Sequence, residues 1–274
     1  MIIYPLISII VPCYKQAQYL GEALQSVIDQ RYQDWECIIV DDGSPDKTAQ
    51  IAKEWIAKDS RFKYRYKDNG GIASARNFGI NQAKAEFILA LDADDKIAND
   101  YLELAINEFQ KDPSLKVVYA RAEKFGEESG LWYLPPFDIS KLGLYNMIFC
   151  SALYRKADWQ RVGGYDVNMV LGLEDWEFWI ALLKNGGNVC QLNKIGFYYR
   201  IKEKSRHVDL KISDKEELYN YLSVKHADFY VKHLGSFIAL NSEMEKLKKM
   251  RIIKGRKKVL NLFCETFFGF RLFK

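Results

Sequence analysis

Three carboxylates in four residues, Asp92, Asp94 and Asp95, stand where an apolar run from Phe87 to Leu91 stops. Like charges this close repel, by roughly 4 kcal/mol for a pair about 4 Å apart at the effective dielectric of a protein surface. A cation is therefore expected beside them, and hard oxygen donors suit Mg²⁺ or Mn²⁺, which serve substrate phosphates when only one or two carboxylates hold them. The plain alternative is an acidic turn after a strand. Two further acidic pairs occur: Asp41-Asp42 closes the run Trp35 to Val40, and Glu174-Asp175 follows Gly172 at the start of a helical stretch.

The elements that must position these groups follow from hydrophobic period. Ile7 to Val11, Trp35 to Val40 and Glu86 to Leu91 are short apolar runs that predict buried strands, and Phe62 to Tyr66 alternates as an exposed strand would. Between them Tyr19, Leu20, Ala23, Leu24, Val27 and Ile28 repeat at helical spacing, Ser44-Pro45-Asp46 offers a cap, a first-turn proline and a first-turn acid, and Gly70-Gly71 opens a helix to about Ala83. Strands alternating with helices predict an α/β fold with a mostly parallel sheet, in which ligands bind outside the carboxyl ends of the strands. Pro12 to Tyr14, Asp41-Asp42 and Asp92/Asp94 all fall at such ends. Further along, a helix is expected from about Asn99 to Gln110, strands at Lys116 to Ala120, Met147 to Tyr154 and Val189 to Ile201, a long loop over 121–143, and helix from about Ser213 onward.

Several classes are excluded. No GxGxxG follows the first strand and no GxxxxGK[ST] occurs, so neither a dinucleotide fold nor a P-loop is indicated. An EF-hand loop begun at Asp92 would put Lys96 at its fifth position and Ile97 at the obligatory glycine. A haloacid-dehalogenase-type phosphatase also uses DxD, but after its first strand and followed by Thr or Val, where this chain has Asp95-Lys96; it is not excluded and stays a weaker competitor.

Taken in order, Ser8-Ile9-Ile10-Val11-Pro12-Cys13-Tyr14, Val40-Asp41-Asp42-Gly43-Ser44, Ala75-Arg76-Asn77, Leu91-Asp92-Ala93-Asp94-Asp95, Gly163-Gly164-Tyr165-Asp166 and Glu174-Asp175-Trp176 resemble family 2 glycosyltransferases of GT-A fold, over about residues 6 to 200. Lys15 departs from the asparagine usual after the tyrosine. The resemblance implies an inverting, metal-dependent enzyme: a Rossmann-like GT-A domain over 1–210, with a nucleotide-binding half to about 100 and an acceptor-binding half over 101–210, then a helical basic extension over 211–274. It implies that Pro12 and Tyr14 line the nucleotide pocket, Tyr14 packing on the base and Asp41, less favourably Asp42, accepting a hydrogen bond from it. Arg76 approaches the diphosphate or base, or else pairs with a nearby carboxylate. Asp94 ligates Mn²⁺ or Mg²⁺ directly, Asp92 contacts the ribose or the metal's water, and Asp95 serves structure. Asp175 is the base, with its pKa held down by the helix dipole, and Glu174 is a first-turn acid beside it. Arg200, Ser205, Arg206 and His207 belong to a loop that closes over the diphosphate in similar enzymes, or to a solvated charged loop. The donor is a nucleotide sugar, UDP-linked for preference, and the acceptor a glycan or lipid-linked hydroxyl in surface polysaccharide assembly. A nucleotide-sugar-binding protein without catalysis is the alternative, and behind it a DxD-type sugar phosphatase.

Charge and cysteine content set the surroundings. The five cysteines form no CxxC pair, and no basic residue precedes the Pro-interrupted N-terminus; a reducing cytoplasm without a signal peptide is expected. No uncharged apolar run reaches the roughly 18 residues of a membrane span. Of 40 basic and 36 acidic residues, ten basic and two acidic ones lie in 244–274, leaving a mildly acidic body that does not suit nucleic acid. Leu260, Phe263, Phe267 and Phe270 recur at helical spacing beside these charges. Such a tail fits an anionic membrane at the inner face of the cell, or a packing face against the body or a second subunit.

Overall fold

The computed structural model describes residues 6–203, 212–268 and 270–273 of the 274-residue chain. The first half is a run of Ile7–Cys13 (β1), Ala17–Ile28 (α1), Trp35–Asp41 (β2), Thr48–Lys58 (α2), Phe62–Tyr66 (β3), Ile72–Gln82 (α3) and Phe87–Ala90 (β4). β1, β2 and β4 are buried at every position, as near-continuous apolar runs are in parallel sheets. β1 lies between β2 and β4, and β3 flanks β2, all in parallel. Register makes the strands finish together: Cys13 stands opposite Asp41 and Ile10 opposite Ala90, and the next N–H groups, of Asp42 and Leu91, donate to Cys13 and Ile10 carbonyls at 3.0 and 2.9 Å. The three loops that carry the acidic and aromatic residues thus leave one edge. α3 is drawn onto that sheet at Gly79, where a Cβ would stand 2.5 Å from Ile10 Cγ2 and 2.8 Å from Val40 Cγ2.

The second half supplies Lys96–Ile97 (β5), Tyr101–Lys111 (α4), Leu115–Gly126 (β6), Gly130–Trp132 (β7), Leu153–Arg155 (β8), Lys156–Val162 (α5), Glu174–Leu183 (α6) and Asn188–Ile201 (β9). The strands join one sheet in the order β3-β2-β1-β4-β8-β6-β9-β5, with β7 on β6. β8 runs antiparallel to β4 and β6, β9 parallel to β6, and β5 antiparallel to β9. This is the α/β architecture with flanking helices that the sequence predicts, mostly parallel by extent of pairing.

Several local expectations are corrected. α2 begins at Thr48, and Ser44 does not cap it; Asp46 Oδ1 instead accepts from the Thr48 N–H and hydroxyl, at 3.1 and 2.6 Å. The expected loop over 121–143 begins as strand, because β6 continues to Gly126 beside β9 and returns as β7. Met147 to Ala152 forms no strand; Met147, Ile148 and Phe149 are core without a ladder, and the Ile148 carbonyl accepts from Trp179 Nε1 at 3.1 Å. α5, seven residues long, is too short for its period to stand out. Gly163, at φ 87°, closes it in the left-handed conformation that glycine adopts without penalty.

The chain divides into two compact units, Met1–His226 and Ala227–Lys274. Ile212–Lys225 (α7) belongs to the first, whereas the sequence predicts that the extension begins at 211. Ion pairs and hydrogen bonds fasten it there: Lys225 Nζ is 2.6 Å from Asp166 and 2.8 Å from Glu177, His226 Nε2 is 2.8 Å from Glu177, and the Tyr221 hydroxyl donates to Asp166 at 2.7 Å. The second unit holds Ala227–Leu234 (α8) and the 32-residue Phe237–Phe268 (α9). Phe270 lies past the end of α9 and does not continue its face. There Asn261 holds the chain end, taking the Leu272 and Phe273 N–H groups at 3.1 and 2.8 Å and donating to the Phe273 carbonyl at 2.7 Å. Among the described residues no helix is long and apolar enough to cross a membrane.

Candidate active site

The three carboxylates of the turn after β4 are balanced in three different ways. Asp92 Oδ1 accepts from Arg76 Nη2 at 2.8 Å, and its Oδ2 lies 3.7 Å from Cys150 Sγ. Asp94 Oδ2 pairs with the ammonium of Lys202, and its backbone carbonyl accepts from Arg200 Nε at 2.8 Å. Asp95 is 1% exposed; one oxygen accepts the Arg200 backbone N–H at 2.8 Å and the other has no partner among the described residues. Burial, reinforced by Asp94 and Asp92, holds the Asp95 carboxyl well above the usual range and favours its neutral form. Asp95 therefore serves the framework, as its burial requires.

Arg76 is the hub. It projects from α3, is 1% exposed, and donates to Glu174 Oε1 at 2.7 Å as well as to Asp92. Burial alone would weaken its charge, but the two carboxylates outweigh that and keep its pKa high. Its neighbour Asn77 holds the turn after α5, accepting from the Tyr165 N–H at 2.9 Å and Trp159 Nε1 at 3.2 Å and donating to the Tyr165 carbonyl at 2.7 Å. Gly164 lets that turn approach, since a Cβ there would come within 2.8 Å of Asn77 Oδ1. Two motifs far apart in sequence are thereby one hydrogen-bonded unit.

Asp175 opens α6 beside Glu174. Its Oδ1 accepts the Trp176 N–H at 2.7 Å and its Oδ2 accepts from Asn146 Nδ2 at 3.1 Å. The helix-dipole expectation is corrected: burial, then the Glu174 charge, push the Asp175 carboxyl up to about 7 against the opposing pull of Arg76 and these hydrogen bonds. Leu173, just before, has φ 61°, a conformation that costs a non-glycine residue about 1–2 kcal/mol. With it the two consecutive acids take different partners, Glu174 on Arg76 and Asp175 on Asn146.

The nucleotide-side residues lie at the ends of β1 and β2. Pro12 is buried opposite Val40, while Tyr14 is 41% exposed with Lys15 Nζ 5.1 Å from its ring centroid. Lys15 itself has φ 56°, a left-handed region that asparagine adopts more readily than lysine. Asp41 accepts from the Ser44 N–H and the Tyr64 hydroxyl, both at 2.8 Å. Asp42 turns to the loop before α3, accepting from Lys67 at 2.6 Å and from the Gly70 and Gly71 N–H groups at 3.0 and 2.9 Å. The Arg200 guanidinium lies behind the acidic turn, 3.0 Å from Glu22 and over the Tyr19 and Phe125 rings. Ser205, Arg206 and His207 lie outside the described residues.

Among the described residues no cluster of three or more His, Cys, Asp or Glu could hold a metal by itself. The chemistry of the donor set nevertheless fits Mg²⁺ or Mn²⁺: Asp92 and Asp94 are hard oxygen ligands, partly exposed, and such ions complete their shells with phosphate and water. Sequence reasoning missed Lys202, Asn146, Cys150 and Tyr64. Only Tyr64 had a signal, the alternation of β3; the others reach the site through pairings with no local trace.

The Glycosyl transferase family 2 profile matches residues 8–171. The chain belongs to this family. The family 2 chain is 31% identical over 222 residues to an uncharacterized glycosyltransferase of Rickettsia typhi, a match that covers 77% of it and 66% of the relative. Over 195 residues it is 30% identical to a chondroitin synthase of Pasteurella multocida, covering 70% of itself and 20% of the synthase. It thus spans under two thirds of the first relative's length and a fifth of the second's. In fold it is similar to S. aureus TarS 1-349 in complex with UDP-GlcNAc, with TM-score 0.69 and 21% identity over 84% of this chain and 71% of that one. It is also similar to the mannosyltransferase PcManGT of Pyrobaculum calidifontis in complex with GDP-Man and Mn²⁺, with TM-score 0.60 and 20% identity over 75% and 60%. At these identities the likeness shows the GT-A fold of the family 2 chain.

Proposed function

We propose that the chain moves a sugar from a nucleotide donor, a UDP-sugar, to a hydroxyl of a glycan or lipid-linked acceptor, with inversion, during surface polysaccharide assembly. The observation that carries this reading is the Asp175 carboxyl, fixed by Asn146, brought to a pKa of about 7, and joined through Glu174 and Arg76 to Asp92. A base with a pKa near the working pH is best matched to proton transfer. The acceptor hydroxyl gives its proton to Asp175 as its oxygen bonds to the anomeric carbon, and the bond from that carbon to the diphosphate breaks on the opposite face. Tyr14 packs on the base, Asp41 receives a hydrogen bond from it, and residues to about 100 bind the nucleotide while 101–210 bind the acceptor. A divalent cation held by Asp94 and Asp92, Mn²⁺ or Mg²⁺, would neutralise charge on the leaving diphosphate.

Relatives support the reading by their chemistry: a chondroitin synthase, a hyaluronan synthase, a TarS complex with UDP-GlcNAc and a mannosyltransferase complex with GDP-Man and Mn²⁺. The basic tail supports a position at the cytoplasmic face of an anionic membrane, where lipid-linked acceptors lie. Asp175→Asn tests the assignment: transfer should fall by about 10²–10⁴-fold with donor affinity unchanged. Retained turnover removes Asp175 as the base. Donor binding by the wild-type chain with no release of nucleoside diphosphate to any acceptor makes it a nucleotide-sugar binder instead.

A further inference from the structure

The acidic turn already carries its own counter-charges. Arg76 donates to Asp92, Asp95 is buried and takes the Arg200 backbone N–H, and the remaining carboxylate, Asp94, is closed by Lys202. The Lys202 side chain is 17% exposed and that of Asp94 19%, and the Lys202 ammonium also stands 5.5 Å from the Tyr19 ring centroid. Two residues earlier, Arg200 is locked by its backbone N–H on Asp95 and its Nε on the Asp94 carbonyl. The pairing of Lys96 with Tyr198 fixes the backbone from which both project. The ammonium of Lys202 is thus held by one carboxylate on a flexible stem, and a divalent cation on Asp94 would meet it at contact distance. Two cations cannot share that carboxylate without strong repulsion.

Resting on the metal-assisted reading above, we propose that Lys202 is the resident cation of Asp94 in the nucleotide-free chain. A divalent ion enters only jointly with a diphosphate, whose oxygens take up the released ammonium. Lys202 thereby adds to the coupling of metal and nucleotide that shared ligation by the diphosphate already gives, and the chain takes up little metal alone.

The test measures protein-bound Mn²⁺ by electron paramagnetic resonance on the full chain, with and without UDP, in wild type and in Lys202→Met, with Lys202→Arg as the charge-preserving control. Wild type and Lys202→Arg should bind Mn²⁺ poorly alone, and UDP should tighten it by about tenfold or more, within the usual range of coupling between sites. Lys202→Met should bind Mn²⁺ alone about tenfold more tightly than wild type and show a UDP effect smaller by about the same factor. Mn²⁺ without nucleotide should raise the melting temperature of Lys202→Met and leave that of wild type unmoved. Lys202→Gln replaces the Met variant if that one does not fold. Equal Mn²⁺ affinities in wild type and the neutral variants, with UDP still promoting uptake, overturn the role of Lys202 and leave the metal reading standing. No uptake by either protein, with or without UDP, overturns both.

Discussion

Asp175 feels charged or titratable neighbours: Glu174 raises its pKa, Arg76 lowers it, and the half-buried Cys150 thiol, itself pushed well up by desolvation, faces it without adding charge at neutral pH. A base must be ionised to act, so kcat/KM should rise with pH through about 7. Glu174→Gln removes the carboxylate that raises the value and leaves Arg76 in place, so that limb should move to lower pH. An unmoved limb in Glu174→Gln would assign it to another group. The same variant removes one of the two carboxylate partners of Arg76 and leaves Asp92, so its cost should fall below the about 3–5 kcal/mol of a buried charge left unpaired, which chemical denaturation will read. Stability carries the opposite sign to activity. The folded pKa of Asp175 lies above that of the unfolded chain, so its stabilising effect is complete below about 4 and is lost as pH rises through about 7. Asp175→Asn should remove this slope from a plot of unfolding free energy against pH.

At the scale of elements, the site depends on α3 lying close on β1 and β2, because α3 carries Arg76 and Asn77. Gly79 sets that approach, so Gly79→Ala should force α3 off Ile10 and Val40 and cost about 1–3 kcal/mol as overpacking. Transfer should fall with it, as Arg76 shifts against Asp92 and Glu174. A fully stable, fully active Gly79→Ala would show that the strand side chains yield freely. Such packing also explains what the sequence makes legible. β1, β2 and β4 are apolar runs whose ends must align in a parallel sheet, so hydrophobic pattern alone assigns Asp41, Asp92 and Asp94 to one edge. The pairing of β5 with β9 has no such signature: β5 is two residues long, and only this contact brings Arg200 and Lys202 to a turn more than a hundred residues earlier. The charge cluster of Asp92, Asp94 and Asp95 calls for a cation from outside when only its own stretch is considered, yet Arg76 and Lys202 already supply two. Likewise the Asp175 pKa is governed by burial among Asn146, Cys150 and Glu174, which the helix-terminus rule does not include.

For the molecule as a whole, charge is unevenly divided between the two units. The first unit holds the site and a mildly acidic sequence, while the second carries α9, about 48 Å long at 1.5 Å per residue. Along α9, Leu247, Val259 and Leu262 are 61%, 69% and 65% exposed among exposed Lys246, Lys254, Arg256, Lys257 and Lys258. Each basic residue near an anionic bilayer contributes about 1 kcal/mol, an attraction that fades beyond a Debye length of about 8–10 Å. Replacing Lys254, Arg256, Lys257 and Lys258 by Gln in the full chain should therefore weaken partitioning onto phosphatidylserine-containing vesicles by about three orders of magnitude at low salt. Raised salt should do the same to the wild type, vesicles of phosphatidylcholine alone should bind neither, and UDP-sugar affinity should stay level. Equal sedimentation of variant and wild type with anionic vesicles would refute the membrane role. A mass by light scattering that doubles with protein concentration, without vesicles, would instead assign the exposed apolar residues of α9 to a second copy of the chain.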